Sequence, residues 1–259
     1  MRVLLAELNR TELQARLQPS AVAVLPVAST EQHGPHLPLS TDALIVSECA
    51  RRAAERVAER IPIVVAPTLA YGYSLHHTSF PGTMSLSMPT FLTVLVELCE
   101  SLIQMGFRKL LLLNGHGGNS EAIQVAVRQV TGRREVVAVA ATYWDVARER
   151  LGQAEAATVG AVPGHSAGFE TTCVLALRPE LPDLALKPAL DESSPRETDA
   201  RHSLSGLGAF SAPYPTWGPR TGVWGDPSLV RPDLGPALIE AIVSSLADLY
   251  LAVSRTEGY

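Results

Sequence analysis

The feature that most narrows the fold is a succession of short apolar runs separated by helical patterns. Ala21 to Val27 (AVAVLPV), Ile63 to Ala66, Lys109 to Leu113 and Glu135 to Thr142 read as strands, with Pro26 weakening the end of the first. Asp42 stands as an N-cap before a helix in which Leu44, Ile45, Cys49, Ala53 and Val57 recur near helical spacing. Pro89 opens a second helix, with Phe91, Leu92, Leu95, Leu98 and Leu102 in phase and Gly106 as its stop. Ser120 to Val130, Gly168 to Leu177 and Pro236 to Val253 supply three more. A strand that is apolar on both sides has to be covered on both faces, and strands alternating with helices build a parallel sheet. The expected fold is α/β, a doubly wound sandwich spanning residues 1–259 as one domain without internal repeats. Two long irregular stretches, Tyr71 to Met88 and Pro182 to Pro232, are the places where a site or an interface is expected.

Composition excludes several classes. Hydrophobic residues make up 46% and charged residues 18% of the 259, which rules out a disordered chain. A balance of 21 basic to 26 acidic residues, spread without runs, leaves no overall basic footprint for nucleic acid or an anionic membrane. No apolar run approaches the roughly 18–20 residues of a membrane helix. Glu7, Arg10, Glu12 and Arg16 interrupt the start where a signal peptide stays apolar. Three cysteines without C-x-x-C spacing suggest reduced, buried thiols. A cytoplasmic protein is expected.

Residues able to hold metal gather just after the strands. In Glu31-Gln32-His33-Gly34-Pro35-His36, an extended chain puts Glu31 and His33 on one side, and Asp42 returns to the same point from the next helix. After the third strand comes Asn114-Gly115-His116-Gly117-Gly118-Asn119. In open parallel sheets sites form at the carboxyl ends of strands, so these loops should meet, and Glu, His, Asp and His converging there suit zinc, manganese or another divalent ion. Each fragment alone also has a structural explanation: a solvated loop, a helix cap, a tight glycine turn or a phosphate cradle. His36, between Pro35 and Leu37, braces the loop in one reading and joins the site in another. Gly164-His165-Ser166-Ala167-Gly168 fits the G-x-S-x-G nucleophile elbow. The segment before it is a weak strand ending in Pro163, and Asp199 and His202 lie only three residues apart, so the elbow reads as a chance match. His165 and Glu170 read better as groups at the lip of a metal site.

On these residues the sequence resembles the creatininase (creatinine amidohydrolase) family. The segments that carry the resemblance are Ser29–Asp42, Phe80–Leu86, Leu110–Ala122, Gly164–Thr172 and Gly222–Pro227. The resemblance implies a three-layer α/β/α sandwich and a homo-oligomer, with a hexamer favoured. It implies two divalent ions per subunit (Zn, Mn or Fe) and hydrolysis of a non-peptide or unusual C–N bond in a small-molecule substrate. Carried over by position, Glu31 and His116 are ligands of one ion, His33 of the other, and Asp42 bridges both. His165 becomes the proton donor to the leaving nitrogen, with a pKa near neutrality. His77, Gly117 and Trp217 are the candidates for substrate contact, while Trp217 and Trp224 fit a subunit interface as well. Creatininase proper has a glutamate ligand two residues after the histidine of the NGH loop, where this chain has Gly118; Glu170 is the candidate to replace it, and creatinine itself is disfavoured as substrate. Other readings are a formamidopyrimidine-type deformylase, a peptidase of a modified peptide in cofactor maturation, a phosphate-binding flavodoxin-like module and a serine esterase.

Overall fold

The computed structural model describes residues 1–190 and 221–257. Among them, β1 (Val22–Val27), β2 (Ile63–Val65), β3 (Lys109–Asn114) and β4 (Val137–Thr142) form one parallel sheet in the order β2-β1-β3-β4. The helices are α1 (Arg10–Gln14), α2 (Thr41–Val57), α3 (Met88–Met105), α4 (Ser120–Thr131), α5 (Tyr143–Val146), α6 (Arg148–Gln153), α7 (Gly168–Leu177) and α8 (Gly235–Arg255). The expected strands and long helices are present to within about two residues; the short helices α1, α5 and α6 left no periodic signal in the sequence.

Side-chain alternation along the strands divides the core in two. Val22, Val24, Leu111 and Leu113 face α2, α7 and α8, where Ile45, Cys49, Phe169, Ile242, Leu246 and Tyr250 are buried. Ala23, Leu25, Leu110 and Leu112 face α3 and α4, packing on Phe91, Leu95, Cys99, Ile123 and Ala126. Three layers result. Pro26 is tolerated in the central strand because β2 pairs only with Val22 to Val24 and has ended before it. All three cysteines are buried and free.

Two helices correct the expectation about apolar length. Met88–Met105 and Gly235–Arg255 have mean hydropathies of 1.3 and 1.6, enough by length and composition to cross a bilayer. Gly235–Arg255 instead serves as a core helix, with 67% of its apolar window buried against α2, α7 and the sheet.

The chain winds from β1 outward to β2, then returns across to β3 and β4. The strand order therefore reverses between β1 and β3, which opens a crevice beyond their carboxyl ends.

Candidate metal centre

Glu31 and His33 leave the end of β1 and are both fully buried, on one side of the chain as alternation requires. His116 leaves the end of β3. Asp42 is not the cap of α2: Ser40 holds that position, and Asp42 sits in the first turn with its carboxylate buried in the crevice. Glu170 lies in the first turn of α7.

The hydrogen bonds fix what each imidazole presents. His33 Nδ1 lies 3.2 Å from the Glu31 carbonyl oxygen, an acceptor only, so Nδ1 carries the hydrogen and Nε2 faces inward. His33 Nε2 is 3.2 Å from Asp42 Oδ1 and 3.7 Å from Glu170 Oε2. His116 Nε2 is 3.1 Å from the Tyr73 carbonyl and 3.2 Å from Ser74 Oγ, so its Nδ1 faces Glu31 Oε1 at 3.2 Å and Asp42 Oδ2 at 3.1 Å. Each histidine thus aims one nitrogen between two carboxylates, and Asp42 gives one oxygen to each group. Glu31 Oε1 and Oε2, Asp42 Oδ2 and His33 Nε2 are buried without a hydrogen-bond partner among the described residues. Donor atoms of Glu31, Asp42 and His116 converge within 4.8 Å, as do those of His33, Asp42 and Glu170. Buried, converging and unpaired N and O donors fit divalent cations.

The electrostatics agree. Burial opposes charge on His33, but Asp42 and Glu170 outweigh it and lift the imidazole to about 10. His116 is likewise pushed well above its ordinary value against burial, by Glu31 and Asp42. Burial raises Glu31, yet the protonated His116 beside it holds it well below the carboxylate range. Burial lifts Glu170 to about 7 despite His33. In the metal-free protein, protons on His33 and His116 supply the positive charge that the carboxylates demand. Metal binding needs both nitrogens and the Glu170 carboxylate bare, so adding zinc at pH 7 is expected to release about two to three protons per chain and affinity is expected to rise with pH. Calorimetry in buffers of different ionisation enthalpy checks this; a heat independent of buffer would contradict it.

Comparison with known proteins matches this geometry to a family. The creatininase family, described as creatinine amidohydrolase, matches residues 6–250. The chain belongs to the creatininase family. It is 34% identical over 197 residues to the creatinine amidohydrolase of Pseudomonas putida, covering 70% of this chain and 74% of that protein. It is 36% identical over 163 residues to the mycofactocin precursor peptide peptidase of Mycobacterium ulcerans, covering 61% of this chain and 59% of that protein. A solved mutant creatininase of Zn-Zn type superposes with a TM-score of 0.80 at 28% identity, covering 99% of this chain and all of that one.

Within this creatininase-family chain, the remaining candidates divide. His165 and His77 reach the crevice: their rings stack with centroids 4.1 Å apart, and both approach Glu31 Oε1, at 3.7 and 3.5 Å. Burial lowers His77 to about 3 and holds His165 well below its ordinary value. A near-neutral His165 is thereby corrected: burial first, and then crowding by His77 and His33, keeps it uncharged, so it must accept a proton before it can give one. Gly117 is at the rim, with open space where a side chain would stand. Trp217, Asp199 and His202 lie outside the described residues. Trp224 packs edge-on against His77 and His165, at the site.

Ser166 is no nucleophile. It is fully buried, its hydroxyl donates to the His33 carbonyl and its N–H donates to Glu170 Oε2 at 2.5 Å. One residue thereby positions two metal-facing groups. His36 braces: its Nε2 lies 3.0 Å from Thr171 Oγ1 and its carbonyl accepts from Asp183. Asn114 pins the His116 backbone through both amide atoms, and Asn119, instead of capping α4, bonds Tyr73 and Ala28. Sequence reasoning missed Gln32, Tyr73 and Ser74, whose roles rest on contacts distant in sequence.

Proposed function

We propose that this creatininase-family amidohydrolase holds two divalent ions, zinc, manganese or iron. One lies among Glu31, Asp42 and His116, the other among His33, Asp42 and Glu170. Its proposed reaction is hydrolysis of a C–N bond in a small molecule, as a cyclic amide, amidine or formamide, other than creatinine. The observation that carries this reading is the Asp42 carboxylate set between two buried imidazole nitrogens, each facing a second carboxylate. When bound, such ions supply Lewis acidity, lowering the pKa of water from about 16 toward roughly 7 and polarising the scissile carbonyl. Glu31, Asp42 and Glu170 hold negative charge about the crevice, and the tie of His116 Nε2 to Tyr73 keeps its ring in line. His165, neutral in a buried setting, accepts a proton and returns it to the leaving nitrogen.

Gly118 supports a substrate other than creatinine, because the glutamate of creatininase proper has no counterpart in the loop. Similarity to the mycofactocin precursor peptide peptidase supports a second reading, cleavage of a modified peptide. A phosphate module is disfavoured by two carboxylates beside His116, which repel an anion. A homo-oligomer in the cytoplasm is also proposed; the half-exposed, uncharged edge strand β4 supports self-association among the described residues.

The test combines elemental analysis of protein purified without chelator with a panel of cyclic amides, amidines, formamides and carboxyl-terminal peptides. Close to two equivalents of metal and turnover of a small amide are expected, with Ser166→Ala keeping activity within about tenfold because only one buried hydrogen bond is lost. No metal uptake, or loss of all activity in a folded, metal-replete Ser166→Ala, would overturn the reading; peptide cleavage alone would replace it with the second.

A further inference from the structure

Gln32 sits between the two stacked histidines and is fixed at every polar atom. Its Oε1 accepts from the Gly34 N–H at 2.9 Å, which settles which end of the amide is oxygen. Its Nε2 lies 2.9 Å from the Gly222 carbonyl, 3.0 Å from His77 Nδ1 and 3.0 Å from His165 Nε2. His165 Nε2 is also 3.0 Å from the Gln32 carbonyl. The amide occupies the space beside Gly222, at φ +70°, where a Cβ would strike it.

Counting hydrogens leaves one complete arrangement. Two carbonyls, of Gly222 and Gln32, can only accept. If His165 Nε2 carries its hydrogen, it donates to the Gln32 carbonyl, and the two amide hydrogens of Gln32 go to Gly222 and His77 Nδ1. Three hydrogens then meet three acceptors. If His165 Nε2 is bare, the Gln32 carbonyl faces a lone pair and two amide hydrogens must serve three acceptors. If His77 Nδ1 carries hydrogen, it points at an amide nitrogen that cannot accept. Among neutral rings only the first arrangement satisfies the groups around Gln32, and it leaves His165 Nδ1 3.7 Å from Glu31 Oε1, too far for a hydrogen bond.

We infer that Gln32 is a positioning residue that sets His77 as a hydrogen-bond donor through Nε2 and His165 as an acceptor through Nδ1, side by side at Glu31. The chemistry that answers such a pair is an acceptor oxygen next to a donor N–H, as one edge of an amide provides. The same tautomer removes His77 from the metal donors, although His77, His76 and Glu31 converge closely enough to form a further triad. The roles toward substrate rest on the hydrolase reading; the tautomers do not.

The test is 15N NMR of the imidazoles in the zinc-loaded protein, with His77 and His165 assigned from His77→Gln and His165→Gln spectra. Both rings are expected as Nε2–H tautomers, read without any substrate. Gln32→Met is expected to release His77 into a tautomer mixture and to lower kcat about tenfold at unchanged zinc content, a loss of the size seen for residues that orient ligands. A wild-type His77 with its hydrogen on Nδ1 would overturn the inference, as would a Gln32→Met protein with unaltered tautomers or one whose activity falls only in proportion to lost zinc. Failure of the hydrolase reading would show as absent turnover with the wild-type tautomers intact.

Discussion

Asp42→Asn is expected to leave at most about one equivalent of bound metal per chain and to lower kcat/KM by about 10³-fold or more, about 4 kcal/mol of transition-state stabilisation. The substitution keeps shape and changes one thing. Asp42 offers one oxygen toward His33 and the other toward His116, at 3.2 and 3.1 Å. An amide can offer an oxygen to one side only and turns its NH2 toward the other, where a cation would sit. Loss of the Asp charge removes about 0.3–1 kcal/mol of helix-dipole stabilisation in the first turn of α2 and also the buried pairing with His33 and His116, so the fold is checked before metal content is read. Asp42→Ala is expected to lose both ions. Elemental analysis after gel filtration, beside circular dichroism and turnover of the best panel substrate, measures all three effects. A folded Asp42→Asn protein with full metal and wild-type rate would show that Asp42 does not bridge.

Gly118→Glu is expected to destabilise the protein rather than restore a ligand. A Cβ at Gly118 would overlap the Tyr73 carbonyl and come within 2.6 Å of His116 Nε2. Those two atoms form the hydrogen bond that holds His116 in line, so the intruding side chain has to break it to fit. Overpacking of this kind costs about 1–3 kcal/mol, which in a chain of this size lowers Tm by roughly 2–12 °C. Metal affinity should fall with it, because the imidazole loses the carbonyl that orients it. Thermal unfolding with and without zinc reads both. Tighter metal binding at unchanged Tm would mean that the loop yields easily and that glycine is not required by packing.

The layers and the crevice were readable because they depend on periodicity. Leu110 to Leu113 could only be a strand covered on both sides, and the rule that sites form at the carboxyl ends of parallel strands then brought Glu31, His33 and His116 together. Asp42 was placed at the right spot with the wrong local role, since a carboxylate at a helix start resembles a cap until its partners are seen. Gln32 and Ser166 were not readable as they stand, because their work is done through hydrogen bonds to residues far along the chain, which leave no periodic trace. Ser166 was misleading in particular: its glycine neighbours mimic a nucleophile elbow, while its hydroxyl is spent on the His33 carbonyl. His77 shows the same limit, for nothing local separates an exposed loop histidine from one stacked on His165.

The stitch made by Ser166 also joins segments far apart along the chain. Glu31, Asp42 and His116 come from segments that are complete by the end of α4, and the pairing of β1 with β3 brings them together. Glu170 joins His33 only after the later part of the chain has docked α7 and Ser166 has bonded to both sides of the gap. The longer loop carries the larger closure entropy. Two donor groups that share one carboxylate in the finished protein therefore close loops of different length, and the second is complete only with α7 in place.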